Sequence, residues 1–246
     1  MSDLTGKVAL VTGGSRGIGA AIARKLAADG ADVAITYQSA EVQAKSVVAE
    51  VESLGRRAVA IRADSGAAED VVHAVNQAAA DLGRLDILVN NAGIFPAKPF
   101  EEFTLAEVDR ALNIHARAAF VGAQAAVAHM NDGGRIISIG TNLSERAAFG
   151  GLSLYNLSKS ALNGFTKALA RELGPRAITV NLLQPGSTVT DMNPLDGDHY
   201  DHQVGLTALG HFARPEDMAA MVGFLAGDTG RSVTGAILTI DGGTNA

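Results

Sequence analysis

Short apolar runs rich in β-branched residues alternate along this chain with longer stretches whose apolar residues recur at helical spacing. The runs at 8–12, 32–37, 58–62, 87–90, 135–139, 179–183 and 236–240 predict seven strands. Residues 18–29, 41–54, 69–82, 106–130, 153–173 and 215–225 predict the helices between them, and so regular an alternation implies right-handed βαβ units. The expected fold is α/β, a single doubly wound domain over residues 1–246 built on a seven-stranded parallel sheet. Ligands in such a sheet bind outside the carboxyl ends of the strands. Gly30, Gly55, Gly83 and Gly174 each follow a helical pattern, where a left-handed C-terminal cap is expected. Residues 186–214 break the alternation: Pro194, Gly197, Gly205 and Gly210 punctuate a polar stretch too long for an ordinary connection, and it reads as a substrate lid.

Composition narrows the classes. An apolar content of 47% over 246 residues is ample for a sizeable core. With no cysteine, neither a disulfide framework nor a thiolate metal site is available. The start lacks a basic segment followed by a signal-type apolar stretch, so a cytoplasmic protein is expected. The most apolar long window, 116–130, is interrupted by Arg117, Gln124 and His129, and no membrane segment is expected. A formal charge of −6 with scattered basic residues opposes nucleic-acid binding. Asp196, Asp198, His199, Asp201 and His202 lie close together, but in a flexible loop they read as solvated side chains and no metal is expected.

Two constellations carry chemistry. Gly13, Gly17 and Gly19 lie between a buried strand and an amphipathic helix, where absent side chains let backbone N–H groups meet a pyrophosphate at the helix N-terminus. Tyr155 and Lys159 share a helix face, so the ammonium is expected near the phenol, favouring its ionised form. A phenol so tuned is a proton shuttle suited to hydride chemistry.

The loop Thr12-Gly-Gly-Ser-Arg-Gly-Ile-Gly19, with Asn90-Asn-Ala-Gly93 after the fourth strand and Tyr155-x-x-x-Lys159, resembles the short-chain dehydrogenase/reductase family. The resemblance runs from Lys7-Val-Ala-Leu-Val-Thr12 to the terminal Asp241-Gly-Gly, and is nearest to the branch of 3-oxoacyl-(acyl carrier protein) reductases and ketone reductases. It implies a Rossmann domain with Gly13, Ser15, Arg16, Gly17, Ile18 and Gly19 cradling the cofactor. It further implies Asp64 and Ser65 at adenine, Asn91, Ala92 and Gly93 along the adenosine ribose, and Pro185, Gly186, Thr188 and Thr190 flanking the nicotinamide. The second strand ends in Thr36-Tyr37-Gln38-Ser39, without the acid that selects NAD, while Arg16 and Ser39 offer partners to a 2′-phosphate. NADP(H) is therefore the expected cofactor, with NAD(H) possible.

The family's catalytic tetrad maps onto Asn113, Tyr155 and Lys159, with Thr141 at the serine position and Ser144 as the alternative hydroxyl. In the implied mechanism Tyr155 gives its proton to a carbonyl oxygen that Thr141 orients, Lys159 also holds the nicotinamide ribose, and Asn113 fixes a proton-relaying water. Three functions remain open: reduction of a small-molecule ketone (or oxidation of the alcohol), reduction of carrier-bound 3-oxoacyl chains, and dinucleotide-dependent regulation without turnover. The first is favoured. Asn131-Asp-Gly-Gly134 places an aspartate where carrier-docking relatives have a base, although Arg176 keeps the other basic position. Leu195, Tyr200, Leu206, Leu209 and Phe212 are expected to give the lid an apolar surface. Alanine-rich helices at 106–130 and 153–173, apolar around much of their circumference, suggest a second buried face, and the resemblance implies a homotetramer formed through them and the C-terminal strand.

Overall fold

The computed structural model describes residues 3–197 and 199–246. All seven expected strands form and pair in parallel: β1 (Val8–Val11), β2 (Asp32–Tyr37), β3 (Ala58–Arg62), β4 (Ile87–Asn90), β5 (Arg135–Ile139), β6 (Thr179–Pro185) and β7 (Ile237–Ile240). Their order is β3-β2-β1-β4-β5-β6-β7. The chain winds outward from β1 to β3, then crosses back to β4 and winds the other way. The turns leaving β1 and β4 therefore diverge, opening a crevice at their carboxyl ends.

Eight α-helices form among the described residues: α1 (Gly17–Ala28), α2 (Glu41–Ser53), α3 (Ala68–Leu82), α4 (Leu105–Leu112), α5 (Ala118–His129), α6 (Ser153–Leu173), α7 (Tyr200–Gly205) and α8 (Pro215–Ala226). Ile22 and Leu26 of α1, Val47 of α2 and Met218 and Val222 of α8 pack on one face. Val75 of α3, Ala126 of α5 and Leu173 of α6 pack on the other. Covered on both sides, β1, β5 and β6 are buried at every position, which is why their sequences read as continuous runs rather than alternating ones.

Three expectations are corrected. The helix expected at 106–130 is interrupted: α4 starts one residue earlier, at Leu105 on a Thr104/Glu107 capping box, and passes into a π-helical turn at Asn113–Arg117 before α5. The wider turn is closed by the Ala118 N–H bonding the Asn113 carbonyl oxygen, a one-residue insertion that apolar periodicity does not register. Gly30, Gly55 and Gly83 adopt positive φ, but Gly174 has φ −52. There Pro175 sits within a short 3₁₀ turn that prolongs α6, and the left-handed position moves to Ala177 at φ 53. Finally, the segment 186–214, where no helix is expected, contains one. The bridge between Thr188 and Ala213 closes its base, α7 lies inside, and Tyr200 meets Phe212 edge to face at 4.7 Å between ring centroids. Among the described residues no helix is long and apolar enough to cross a membrane.

Candidate active site

The loop after β1 folds tightly because two of its glycines have no alternative. Gly13 adopts φ 64, and a Cβ at Gly19 would collide with the Gly13 carbonyl oxygen and the Asn91 side-chain amide. The Thr12 hydroxyl accepts the N–H groups of Asn91 (2.9 Å) and Ala92 (3.1 Å), and the Asn91 amide donates back to the Thr12 carbonyl at 2.9 Å. These bonds bind the turns after β1 and β4 into one rigid floor. Above it α1 begins without a capping side chain and without an acid in its first turn, leaving its N–H groups and dipole directed at the cleft.

Every residue expected at a cofactor site, from Gly13 to Thr190, borders this one cleft. Tyr37, Gln38 and Ser39 stand at its far end, where Arg16 reaches Asp191 of the 186–214 segment across 3.8 Å. Asp64 is not free: Arg110 on α4 donates to it at 2.8 Å and the Gly66 N–H at 2.8 Å, and the Arg110 bond is the first cause holding its carboxyl below the usual range. Arg110 also lines the cleft and had no signal in the sequence beyond its place one turn before Asn113.

At the other end stand Thr141, Tyr155 and Lys159. Lys159, only 5% exposed, donates to the Ile139 carbonyl oxygen at 2.8 Å, and burial lowers it from 10.5 to about 8. The expected depression of Tyr155 is not found. Burial raises the phenol above its ordinary value, against the opposing pull of its hydrogen bond with the Thr141 side chain. Dehydration outweighs the i, i+4 geometry here because the carbonyl of Ile139 takes up the ammonium.

The two candidate hydroxyls separate cleanly. Thr141 faces the cleft, whereas Ser144 does not border it and is spent on structure, donating to the Thr141 carbonyl at 2.8 Å and accepting from the buried Gln184 amide at 2.7 Å. Gln184, unsignalled in the sequence, thus steadies the turn that carries Thr141. Asn113 opens the π-helical turn next to Ile114, which lines the cleft, but does not border it itself.

Pro185, Gly186, Thr188 and Thr190 follow β6 along the same edge, and Gly186 is pressed so closely on Asp241 that a Cβ would lie 2.5 Å from the aspartate Cβ. The apolar wall differs from the expected one. Tyr200 and Leu206 line the cleft, but Phe212 is buried at 4% exposure, and Leu195 and Leu209 point to solvent. Phe95, Leu143, Phe149 and Met192 complete the wall, with Phe95 edge-on to Tyr155 at 4.7 Å. His199 also faces it. Asp198 lies outside the described residues, and among those described no three histidines or carboxylates gather as metal ligands.

A family model described as enoyl-(acyl carrier protein) reductase matches residues 13–245. The chain is 40% identical to a hydroxynaphthalene reductase-like protein of Metarhizium brunneum, over 98% of this chain and 96% of that one. It is 41% identical to a cyclic-di-GMP-binding biofilm dispersal mediator protein of Escherichia coli, over the full length of both. A short-chain dehydrogenase from Burkholderia cenocepacia, crystallised with NADP, superposes with a TM-score of 0.98 at 56% identity, covering 99% of each chain. The glycine floor, the sheet order and these likenesses agree: the chain belongs to the short-chain dehydrogenase/reductase family of NAD(P)-dependent oxidoreductases.

Proposed function

We propose that this protein is an NADPH-dependent reductase of uncharged small-molecule ketones, running as an alcohol dehydrogenase in reverse. The observation that carries the reading is the convergence of a protonated phenol, a cleft-facing hydroxyl and a buried ammonium beside an apolar, aromatic wall. The cofactor fits on structural grounds: the glycine floor excludes any Cβ at Gly19, and the uncapped start of α1 meets an anion. Bound there, NADPH supplies the hydride. Arg16 and Ser39 would take its 2′-phosphate, with no carboxylate at the end of β2 to repel it, and a family member of known structure was crystallised with NADP.

The protein's own groups then do the following. Thr141 holds the substrate carbonyl oxygen and Tyr155 donates its proton to that oxygen as the carbon is reduced. A phenol raised by burial is fully protonated at neutral pH, which suits the reducing direction. Lys159 holds the ribose near the nicotinamide and restores the phenol's proton, and Asn113 fixes a water that passes protons to the lysine. The 186–214 segment serves as the substrate lid, and the apolar wall of Phe95, Phe149, Tyr200 and Leu206 favours an uncharged ligand.

Docking of an acidic carrier protein is disfavoured by Asp132, and Arg176, the base that would meet such a partner, is already engaged. Its guanidinium is spent on Asp132 at 3.4 Å and on the carbonyl oxygens of Val127 and Met130. We also infer a homotetramer, supported by Phe120 of α5 and Leu157 of α6, 55% and 58% exposed on the outer faces of these helices. The test of function is NADPH oxidation against aryl ketones, cyclic diketones and 3-oxoacyl thioesters, free and carrier-bound. A hundredfold advantage in kcat/KM for the carrier-bound chain would move the assignment to fatty-acid synthesis, and tight NADPH binding without turnover would make the protein a regulator.

A further inference from the structure

His115 lies two residues after Asn113 in the π-helical turn, 3% exposed, and no step above uses it. Both ring nitrogens are engaged. Nε2 is 3.0 Å from the Ile94 backbone nitrogen, and a backbone N–H only donates, so Nε2 carries no proton. Nδ1 therefore bears the imidazole hydrogen and donates it to the Ser158 hydroxyl at 2.8 Å. Ser158, fully buried, passes its own hydrogen to the Tyr155 carbonyl oxygen at 2.9 Å. The ring edge also meets the Tyr155 ring at 5.9 Å, nearly perpendicular.

The two ends of this chain of bonds belong to different halves of the site. Ile94 closes the Asn91–Gly93 turn, which lines the cleft where the cofactor is expected, and Ser158 lies on α6 between Tyr155 and Lys159. Gly93 makes the approach feasible: a Cβ there would stand 3.2 Å from His115 Nε2 and 3.3 Å from Lys159 Nζ. We propose that His115 and Ser158 are positioning residues that latch the cofactor turn after β4 to the catalytic helix, fixing the placement of the Tyr155 phenol over the cofactor. The latch has one polarity, Ile94 N–H to Nε2, Nδ1–H to Ser158, Ser158 O–H to Tyr155 carbonyl, so only an uncharged ring with its hydrogen on Nδ1 completes it. This role rests on the reductase reading.

The two arms are separable by substitution. His115→Gln places an acceptor near Nε2 and loses the donor to Ser158, whereas His115→Asn keeps a donor near Nδ1 and loses the acceptor for Ile94. Ser158→Ala cuts the same link as His115→Gln from the other side. We expect His115→Gln and Ser158→Ala each to lower kcat about tenfold with the NADPH dissociation constant within about twofold, because the misplacement falls on the acid and not on the cofactor turn. His115→Asn should instead weaken NADPH binding by about fivefold or more. The His115→Gln/Ser158→Ala double variant should be no slower than either single, since both remove one link. Independently of any substrate, the three tyrosines of this chain, labelled with ¹³C at Cζ, give resonances assignable by Tyr→Phe substitution. Ser158→Ala should shift that of Tyr155 and leave Tyr37 and Tyr200 in place. Unchanged kcat in both singles, additive losses in the double variant, or an unmoved Tyr155 resonance would overturn the latch. Should the wild type reduce no ketone, the reductase reading fails by itself, while the resonance and NADPH binding still decide the latch.

Discussion

Lys159 gives its ammonium to the main-chain oxygen of Ile139, at the end of β5, instead of to the phenol of Tyr155 one helical turn away. Burial keeps Tyr155 protonated at neutral pH and brings Lys159 down to about 8. If Lys159 holds the ribose as proposed, the enzyme should lose that charge as pH rises through about 8 rather than 10.5. We expect kcat/KM for NADPH to fall there with a single ionisation. The stability sign is opposite. Between pH 8 and 10.5 the unfolded chain holds a proton on this lysine that the folded one lacks, so this group's contribution to stability rises with pH across that window. Thermal melts recorded beside the rates separate the two. A rate that stays level to pH 10 would remove the ammonium from the account.

Thr141→Ala should lower kcat by about a hundredfold, the loss typical of one preorganised donor, while Thr141→Ser remains active. Ser144→Ala should cost less, because its hydroxyl acts only through the Thr141 carbonyl and Gln184. Steady-state rates of the three variants decide it; the reverse ranking would transfer the role to Ser144.

NADPH should be preferred to NADH, and Arg16→Ala should reduce the preference by about tenfold through loss of a guanidinium–phosphate contact. Asp191→Ala tests the same pair from the other side. Since Arg16 and Asp191 are an exposed pair at 3.8 Å, freeing the guanidinium should tighten NADPH binding by no more than about threefold. Isothermal titration of both cofactors to the wild type and the two variants measures this, and equal affinities in the wild type would defeat the 2′-phosphate assignment.

What was legible in the sequence was whatever repeats with a period or demands an absent side chain. The strands buried on both faces announced themselves as continuous apolar runs, and Gly13 and Gly19 marked the floor because no other residue fits. Tyr155 and Lys159 were placed by their spacing, but their ionisation was misjudged. A helix pattern gives proximity and says nothing of a β5 carbonyl arriving from elsewhere in the chain. The π-helical turn at Asn113 was hidden because one inserted residue barely disturbs periodicity, and with it went His115 and the direction of Arg110. The substrate wall was half wrong for a related reason. Leu195, Leu209 and Phe212 share the segment and the composition of Tyr200 and Leu206, and only the backbone path around α7 decides which of them face inward.

Acid should expose His115. Burial, aided by the nearby Lys159 charge, lowers it from 6.5 to about 3, so the unfolded chain takes up a proton near pH 6.5 that the folded one refuses. The contribution of this group is complete well above 6.5 and is lost as pH falls toward 3, by about 2 kcal/mol between pH 6.5 and 4.5. His115→Gln, with no proton to gain, should lose correspondingly less stability over the same interval. Urea unfolding at the two pH values measures the difference, and identical pH slopes in wild type and variant would show that the imidazole is not held neutral.

The central claim is that the Tyr155 phenol is the proton donor in NADPH-dependent ketone reduction, and Tyr155→Phe tests it most directly. The substitution keeps the ring that packs on Phe95 and His115 and removes only the hydroxyl. Measured with the best ketone of the panel, the variant should lose at least about a hundredfold in kcat, with its NADPH dissociation constant unchanged within about twofold. A variant that keeps more than about a tenth of the wild-type kcat would contradict the account.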